Sequence, residues 1–216
     1  MEEIKSFNEN YNFEKVLSIP LILNQICQFL NIDNIKILSL CNKNINLLYC
    51  KTFKKLKINK EAKIYNLQKL IDKYANIINL DLTYCENIKD FSPISKLERL
   101  EILNISNTNI SDISFLEKNK NIKELYLAYS KNINDFSPIS KLERLEILNI
   151  SYTYISDISF LEKNKNIKEL YLNSCLYIKD FSPISKLERL EILYINETKI
   201  SDKSFLEKNK HIKILF

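Results

Sequence analysis

The sequence predicts an α/β solenoid preceded by a small bundle of three short helices. In the solenoid, parallel strands line a concave side, and short helices or irregular turns form the convex side. Three observations carry this expectation. The block FSPISKLERLEIL recurs at 91–103, 136–148 and 181–193, and SFLEKNK recurs at 114–120, 159–165 and 204–210, so the chain repeats with a period of 45 residues. Each period splits into units of 23 and 22 residues with a shared apolar pattern. Within a unit the apolar spacing is two over a short stretch and wider afterwards, the mark of a strand followed by a returning segment. No unit can bury its apolar side alone, so stacking must close the core.

In chain order, residues 1–15 read as a polar tail. Residues 16–56 do not carry the repeat. Ile22, Ile26, Phe29 and Leu30 are spaced for one helix face. Asp33 is placed to cap a second helix holding Ile37, Leu38 and Leu40, and a third holds Ile45, Leu47 and Leu48. This bundle has more apolar surface than so small a core needs, so a partner or the solenoid must cover it. Residues 57–76 form a linker or atypical first repeat. A strand is expected near Leu56–Ile58 and a helix near 62–75, where Leu67, Leu70, Ile71 and Tyr74 share a face.

Residues 77–216 hold six units in three 45-residue copies. One unit type runs Ile122, Leu125, Leu127, Ser130, Ile133, Phe136, Ile139 and Leu142. The other runs Leu145, Leu148, Ile150, Thr153, Ile155, Ile158 and Leu161. The small residue after each strand (Cys85, Thr108, Ser130, Thr153, Cys175, Thr198) sits where the chain turns inward. A hydroxyl there is suited to satisfying buried backbone groups. Pro93, Pro138 and Pro183 follow Phe-Ser and suit the first turn of a short helix, with Ser as N-cap. The chain contains no Gly, so turns with positive φ are expected to use Asn or Asp. Lys203 replaces the apolar residue found at Ile113 and Ile158, so this end of the solenoid, 200–216, is expected to be open to solvent or poorly capped.

The pattern L-x-x-L-x-L-x-x-(N/C/T)-x-I over 77–216 resembles the leucine-rich repeat family. The segment before it resembles an F-box. Ile19-Pro20 stand for the family's Leu-Pro, and Ile26 and Leu30 match the helix positions. Asp33 and Ile35 match the acidic step and the next leucine, and Leu38, Leu40, Cys41 and Lys43 follow in register. No Glu follows Pro20, and Ile45 stands for the usual Trp. The resemblance implies a substrate-recognition adaptor of a ubiquitin ligase. It would dock on the Skp adaptor and cullin complex through Pro20, Leu21, Ile26, Leu30, Ile35, Leu38 and Leu40, and present a protein substrate with its repeats. The alternative is a stand-alone leucine-rich scaffold or regulator with a helical N-terminal cap.

Differences among the copies point to the target-binding face. Residues 122–166 match 77–121 at 36 of 45 positions, and most differences fall beside the strands or just after them. One row reads Asp81, Asn104, Tyr126, Asn149, Tyr171 and Tyr194; a neighbouring row begins Tyr84, Asn107, Tyr129 and Tyr152. Tyr and Asn provide adaptable contact area at low entropy cost, so a protein-binding face is expected there.

Composition excludes other classes. Without Gly there is no P-loop and no dinucleotide fingerprint. The one His, His211, has no neighbouring partner for a catalytic dyad, and the five Cys show no paired ligand spacing. No catalytic residue, metal or cofactor is expected. The net charge of +5 lies entirely within 1–76, with five Lys in KTFKKLKINK at 51–60. The neutral repeats argue against a nucleic-acid reader. With no apolar leader and no apolar run long enough to cross a membrane, the chain is expected to be intracellular, in cytoplasm or nucleus, and monomeric by itself. Abundant Ile, Asn and Lys reflect an A/T-rich coding sequence rather than function.

Overall fold

A computed structural model describes residues 54–58, 67–198, 200, 204–206 and 211–215. Of the helical bundle expected over 16–56, residues 16–53, including its adaptor-facing residues from Pro20 to Leu40, lie outside the described residues, as does Lys203; at its end Lys55 and Leu56 belong to a strand rather than a helix. The chain divides into two compact units. Of the first, Met1–Lys54 with Lys73–Asn76, the described part is Lys54, the last residue of a helix and the turn after it. The second unit, Lys55–Asp72 with Ile77–Phe216, is a parallel solenoid.

Eight three-residue strands form one sheet in sequential order, every pair parallel. They are β1 (Lys55–Lys57), β2 (Asn79–Asp81), β3 (Ile102–Asn104), β4 (Glu124–Tyr126), β5 (Ile147–Asn149), β6 (Glu169–Tyr171), β7 (Ile192–Tyr194) and β8 (Lys213–Leu215). A single α-helix among the described residues, α1 (Leu67–Lys73), lies within the range expected for the first repeat. Short 3₁₀ helices form the returning side: η1 (Ser92–Lys96), η2 (Ser114–Lys118), η3 (Ser137–Lys141), η4 (Ser159–Lys163), η5 (Ser182–Lys186) and η6 (Ser204–Leu206).

Side-chain alternation fixes the register. In β2 to β7 the middle residue is buried and its two neighbours are half-buried on the outward side. The middle residues Leu80, Leu103, Leu125, Leu148, Leu170 and Leu193 are all fully buried. Each contributes about 2–3 kcal/mol of transfer free energy. From the far wall, Ile94, Leu116, Ile139, Leu161 and Ile184 complete the core. Phe136 packs on Phe160, and Phe181 on Phe205, with ring centroids 6.4 and 5.9 Å apart. At β8 the packing changes, and Ile214 in its middle is half-buried.

Units of 22 or 23 residues leave about five residues for the returning helix, too few for α-helical turns. The backbone instead runs in i→i+3 bonds: Ile94 N–H to Phe91 O, Leu97 N–H to Ile94 O, and Leu100 N–H to Leu97 O, at 3.0, 2.9 and 3.0 Å. Pro opens the turn as the sequence suggests, but Ser is not the cap. The Ser side chain makes no capping bond, and the residue two positions earlier does the work. Asp90, Asp112, Asp135, Asp157 and Asp180 accept the backbone N–H of Ser92, Ser114, Ser137, Ser159 and Ser182 at 2.8–2.9 Å. A carboxylate two residues back reaches this orphan donor, where a Ser hydroxyl inside the turn cannot.

The inward turns match their sequence reading. Thr108, Thr153 and Thr198 donate their hydroxyls to the carbonyls of Ile105, Ile150 and Ile195 at 2.8, 2.7 and 2.6 Å. Ser130 adds a second donor to Ile105 O at 3.3 Å, and the Cys175 thiol adds one to Ile150 O at 3.3 Å. Successive units thus share one acceptor.

Candidate recognition surface

The outward side of the sheet takes its side chains from the first and third residues of each strand. The third residues of β2 to β7 are Asp81, Asn104, Tyr126, Asn149, Tyr171 and Tyr194, the row singled out from the sequence. Parallel pairing sets them side by side, Asp81 against Asn104 through to Tyr171 against Tyr194. The members differ in what their side chains do. Asp81, Asn104 and Asn149 turn back on the chain and accept the N–H of Thr83, Ser106 and Ser151 at 3.0, 3.1 and 3.0 Å. These bonds end the strands. Burial opposes the charge on Asp81, but hydrogen bonds from Thr83 and Lys57 outweigh it and hold the carboxyl below its ordinary value of 3.8.

The tyrosines of this row carry their hydroxyls on neighbouring acids. Tyr126 donates to Glu124 Oε2 at 2.9 Å, and Tyr171 to Glu169 Oε2 at 2.6 Å. Burial, and then the bonded carboxylate, push both phenols above their usual range, so they remain protonated donors. Tyr171 also stacks on Tyr194, with centroids 4.2 Å apart and planes 9° from parallel.

The neighbouring row has an unexpected backbone. Tyr84, Asn107, Tyr129, Tyr152, Ser174 and Glu197 all have φ between 54° and 64°. The left-handed turn expected to fall to Asn or Asp is therefore held by Asn once and by Tyr three times. For an L-residue with a Cβ this conformation costs on the order of 1 kcal/mol. Parallel stacking forces the same turn in every unit, so the fold tolerates the strain. The position aims the side chain into solvent: Tyr84 and Tyr129 are 53% and 43% exposed. Tyr129 and Tyr152 stack with centroids 4.2 Å apart.

The turn just after these rows, where the copies also differ, holds two residues that the sequence reading did not single out. Leu176 and Tyr177 are exposed, and Tyr177 meets the exposed Tyr154 edge-on at 5.6 Å. Lys131 Nζ lies 5.7 Å from the Tyr154 ring centre. The signal was present in the copies, since Leu176-Tyr177 replaces Lys131-Asn132. Asn119 and Asn164 were also missed. Both are fully buried in the far wall, and their amide N–H groups bind Ile94 O and Leu97 O, and Ile139 O and Leu142 O, at 3.0–3.1 Å. They occupy the position held by Leu97, Leu142 and Leu187 in the alternate units, and their role is structural.

Nothing in this surface resembles a reaction centre. Among the described residues no three His, Cys, Asp or Glu side chains gather as a metal site, and no helix is long and apolar enough to cross a membrane. Cys85 and Cys175 are buried free thiols, and burial, then the Asp81 charge, pushes Cys85 up to about 11. What the surface offers is aromatic area, amides and carboxylates on a rigid sheet.

Three solved structures show this architecture at low sequence identity. An internalin of Listeria monocytogenes is similar at 22% identity and a TM-score of 0.58, over 77% of this chain. This chain spans 61% of the length of that internalin. A leucine-rich repeat protein of Leptospira interrogans is similar at 18% identity and a TM-score of 0.63, over 78% of this chain and 50% of that one. A plant peptide hormone receptor, solved in complex with RGF2, is similar at 16% identity and a TM-score of 0.53, over 75% of this chain and 30% of the receptor. No curated protein sequence matches the chain. The family described as leucine-rich repeats in two copies matches at 75–118, 98–144, 120–163 and 143–185, more than half of the sequence. With the parallel sheet and repeated core, this match shows that the chain belongs to the leucine-rich repeat family.

Proposed function

We propose that the protein is a non-enzymatic protein-binding scaffold, with the outward face of its sheet as the binding surface. The observation that carries this is the outward-facing tyrosine array, half-buried on the strands and exposed at Tyr84 and Tyr129. Tyr126, Tyr171 and Tyr194 lie on the strands, and Tyr84, Tyr129 and Tyr152 beside them, three of these six in a strained backbone that Asn107 shows a better-suited residue can occupy. Retaining Tyr at such positions makes sense where its contact area is used. Asn104 and Asn149 supply polar contacts through the atoms their turn bonds leave free. The similar plant peptide hormone receptor, solved in complex with RGF2, agrees with a binding role for this fold.

Selection of a random peptide library against the full chain tests this. Enriched peptides should lose most of their affinity for a Tyr171→Ser, Tyr194→Ser variant and keep it for a Lys141→Ser, Lys186→Ser variant on the returning side. Peptides indifferent to the tyrosines would overturn the reading. The narrower role of ubiquitin-ligase adaptor rests on the sequence of 16–56, with Pro20, Leu21, Ile26, Leu30, Ile35, Leu38 and Leu40 as the Skp-facing residues. Co-elution of the full chain with a Skp adaptor, lost on Ile26→Asp with Leu38→Asp in a folded protein, would establish it. No co-elution leaves the scaffold reading alone.

A further inference from the structure

We infer that the partner of this face is an extended, arginine-bearing polypeptide segment; this deepens the scaffold reading and rests on it. The carrying observation is a repeated pair. In β4 and β6 the sequence Glu-Leu-Tyr puts a carboxylate and a phenol on the same side of the sheet, two residues apart. The phenol hydroxyl holds the carboxylate at 2.9 Å in one strand and 2.6 Å in the other. Each pair therefore presents an aromatic ring with a carboxylate fixed at its edge. A guanidinium stacked on the ring can direct its N–H groups to that carboxylate, and Arg suits this better than Lys because its cation is planar and less strongly hydrated.

The charge of the surrounding face agrees. At the outward positions of β2 to β7 the charged residues are Asp81, Glu124 and Glu169, all acidic; Asp81 is paired with Lys57 at 3.1 Å, so Glu124 and Glu169 carry the charge of the centre. In the row just before the strands, Lys123 and Lys168 pair with Glu101 and Glu146 at 2.9 and 2.7 Å and cancel. Glu191, next in that row, has no ion pair among the described residues, although Lys213 follows Lys123 and Lys168 in the repeat and donates its backbone N–H to Glu191 O at 2.8 Å. Glu197 is exposed and accepts the Ser174 hydroxyl. The acidic stretch is bounded by Lys55 and Lys57 in β1 and Lys213 in β8.

Size follows from the sheet. Strands about 4.8 Å apart put β4 and β6 roughly 9.6 Å apart, about three residues of extended chain. The stretch from β2 to β7 is about 24 Å, or about seven extended residues. The segment is thus short, with basic residues at every third position. The chain as a whole carries +5, so affinity for a cationic peptide would arise from this face and not from net charge.

Three fluorescent serine-based heptapeptides, with Arg, Lys or Glu at positions 1, 4 and 7, titrated into the full chain by anisotropy, test this. The Arg peptide should bind about threefold to tenfold more tightly than the Lys peptide, the Glu peptide should not bind, and added salt should weaken the first two. Glu124→Gln with Glu169→Gln keeps the side-chain shape and should weaken the Arg peptide about fivefold or more, at unchanged thermal stability. Glu98→Gln with Glu143→Gln, on the returning side, should change nothing. Equal binding of Arg and Glu peptides, or equal loss in both variants, would overturn the inference. If the Arg peptide fails while a library-selected neutral or acidic peptide binds in a tyrosine-dependent way, the basic partner is wrong and the scaffold reading stands. If neither ligand depends on the tyrosines, both fall.

Discussion

Replacing Thr153 by Val changes one buried hydroxyl to a methyl and little else. Thr153 is 1% exposed, so no solvent takes over the lost bond. Its hydroxyl donates to Ile150 O at 2.7 Å, and the Cys175 thiol donates to the same carbonyl at 3.3 Å. Loss of the hydroxyl bond costs about 1 kcal/mol, and a buried carbonyl left with a weak thiol donor adds about another 1 kcal/mol. A total near 2 kcal/mol lowers the melting temperature by about 4–8 °C for a chain of this size. Thr108→Val is the internal comparison. Ile105 O keeps the Ser130 hydroxyl at 3.3 Å, a better donor than a thiol, so the cost falls to about 1 kcal/mol. Cys175→Ser in the Thr153→Val background should recover part of the loss by restoring a hydroxyl to Ile150 O. Urea and thermal unfolding of the four proteins measure this. A Thr153→Val protein as stable as the parent, or less affected than Thr108→Val, would refute the shared-acceptor reasoning.

Other expectations follow from individual positions. Leu148→Ala, at a fully buried site in a central strand, should cost about 3–5 kcal/mol by urea unfolding, from lost transfer energy and a residual cavity. Glu197→Asn should stabilise by about 0.5–1 kcal/mol, because Asn tolerates the left-handed backbone at φ 58°; Asn107→Glu should lose a similar amount, and equal signs in the two melts would contradict the strain argument. Asp135 has a carboxyl held below 3.8 by the Ser137 backbone N–H and then its hydroxyl. A lowered folded-state value means that this group stabilises at neutral pH and that the contribution is lost as pH falls below 3.8 through the folded value. Asn keeps the acceptor without the charge, so Asp135→Asn should show a smaller drop in melting temperature between neutral and acidic solution than the parent.

Much of the fold was legible because its physics is periodic. Leu125 and Leu127, two apart and repeated through every unit, specify a strand with one face inside, and the parallel stack is then the one way to bury all units alike. The strand at Lys55–Lys57 and helix at Leu67–Lys73 were found near their expected places because Leu56, Leu67 and Ile71 keep the same logic. The misses share a different cause. Asn119 lies between lysines in SFLEKNK and reads as surface; only comparison with Leu97 and Leu142 places it inside. A left-handed backbone leaves no trace in a Tyr side chain, so the strain at Tyr84, Tyr129 and Tyr152 was hidden, although Asn107 in the same column hinted at it. Asp90 and its equivalents cap through a local turn that apolar periodicity does not encode. Of the surface, the strand row was predicted residue by residue, but its division into turn-forming Asp81, Asn104 and Asn149 and carboxylate-bonded Tyr126 and Tyr171 is set by three-dimensional geometry. Leu176 and Tyr177 lie in the turn after the rows, where the copies differ, but the edge-on contact of Tyr177 with Tyr154 is made across units and is visible only in the fold.

The central claim is that ligands engage the outward tyrosines of the sheet. Tyrosine-selective footprinting of the full chain, with and without a library-selected peptide, tests it most directly. The account predicts protection of Tyr126, Tyr129, Tyr152, Tyr171 and Tyr194 on ligand addition. Bound peptide with these five unchanged, and protection confined to other tyrosines, would contradict it.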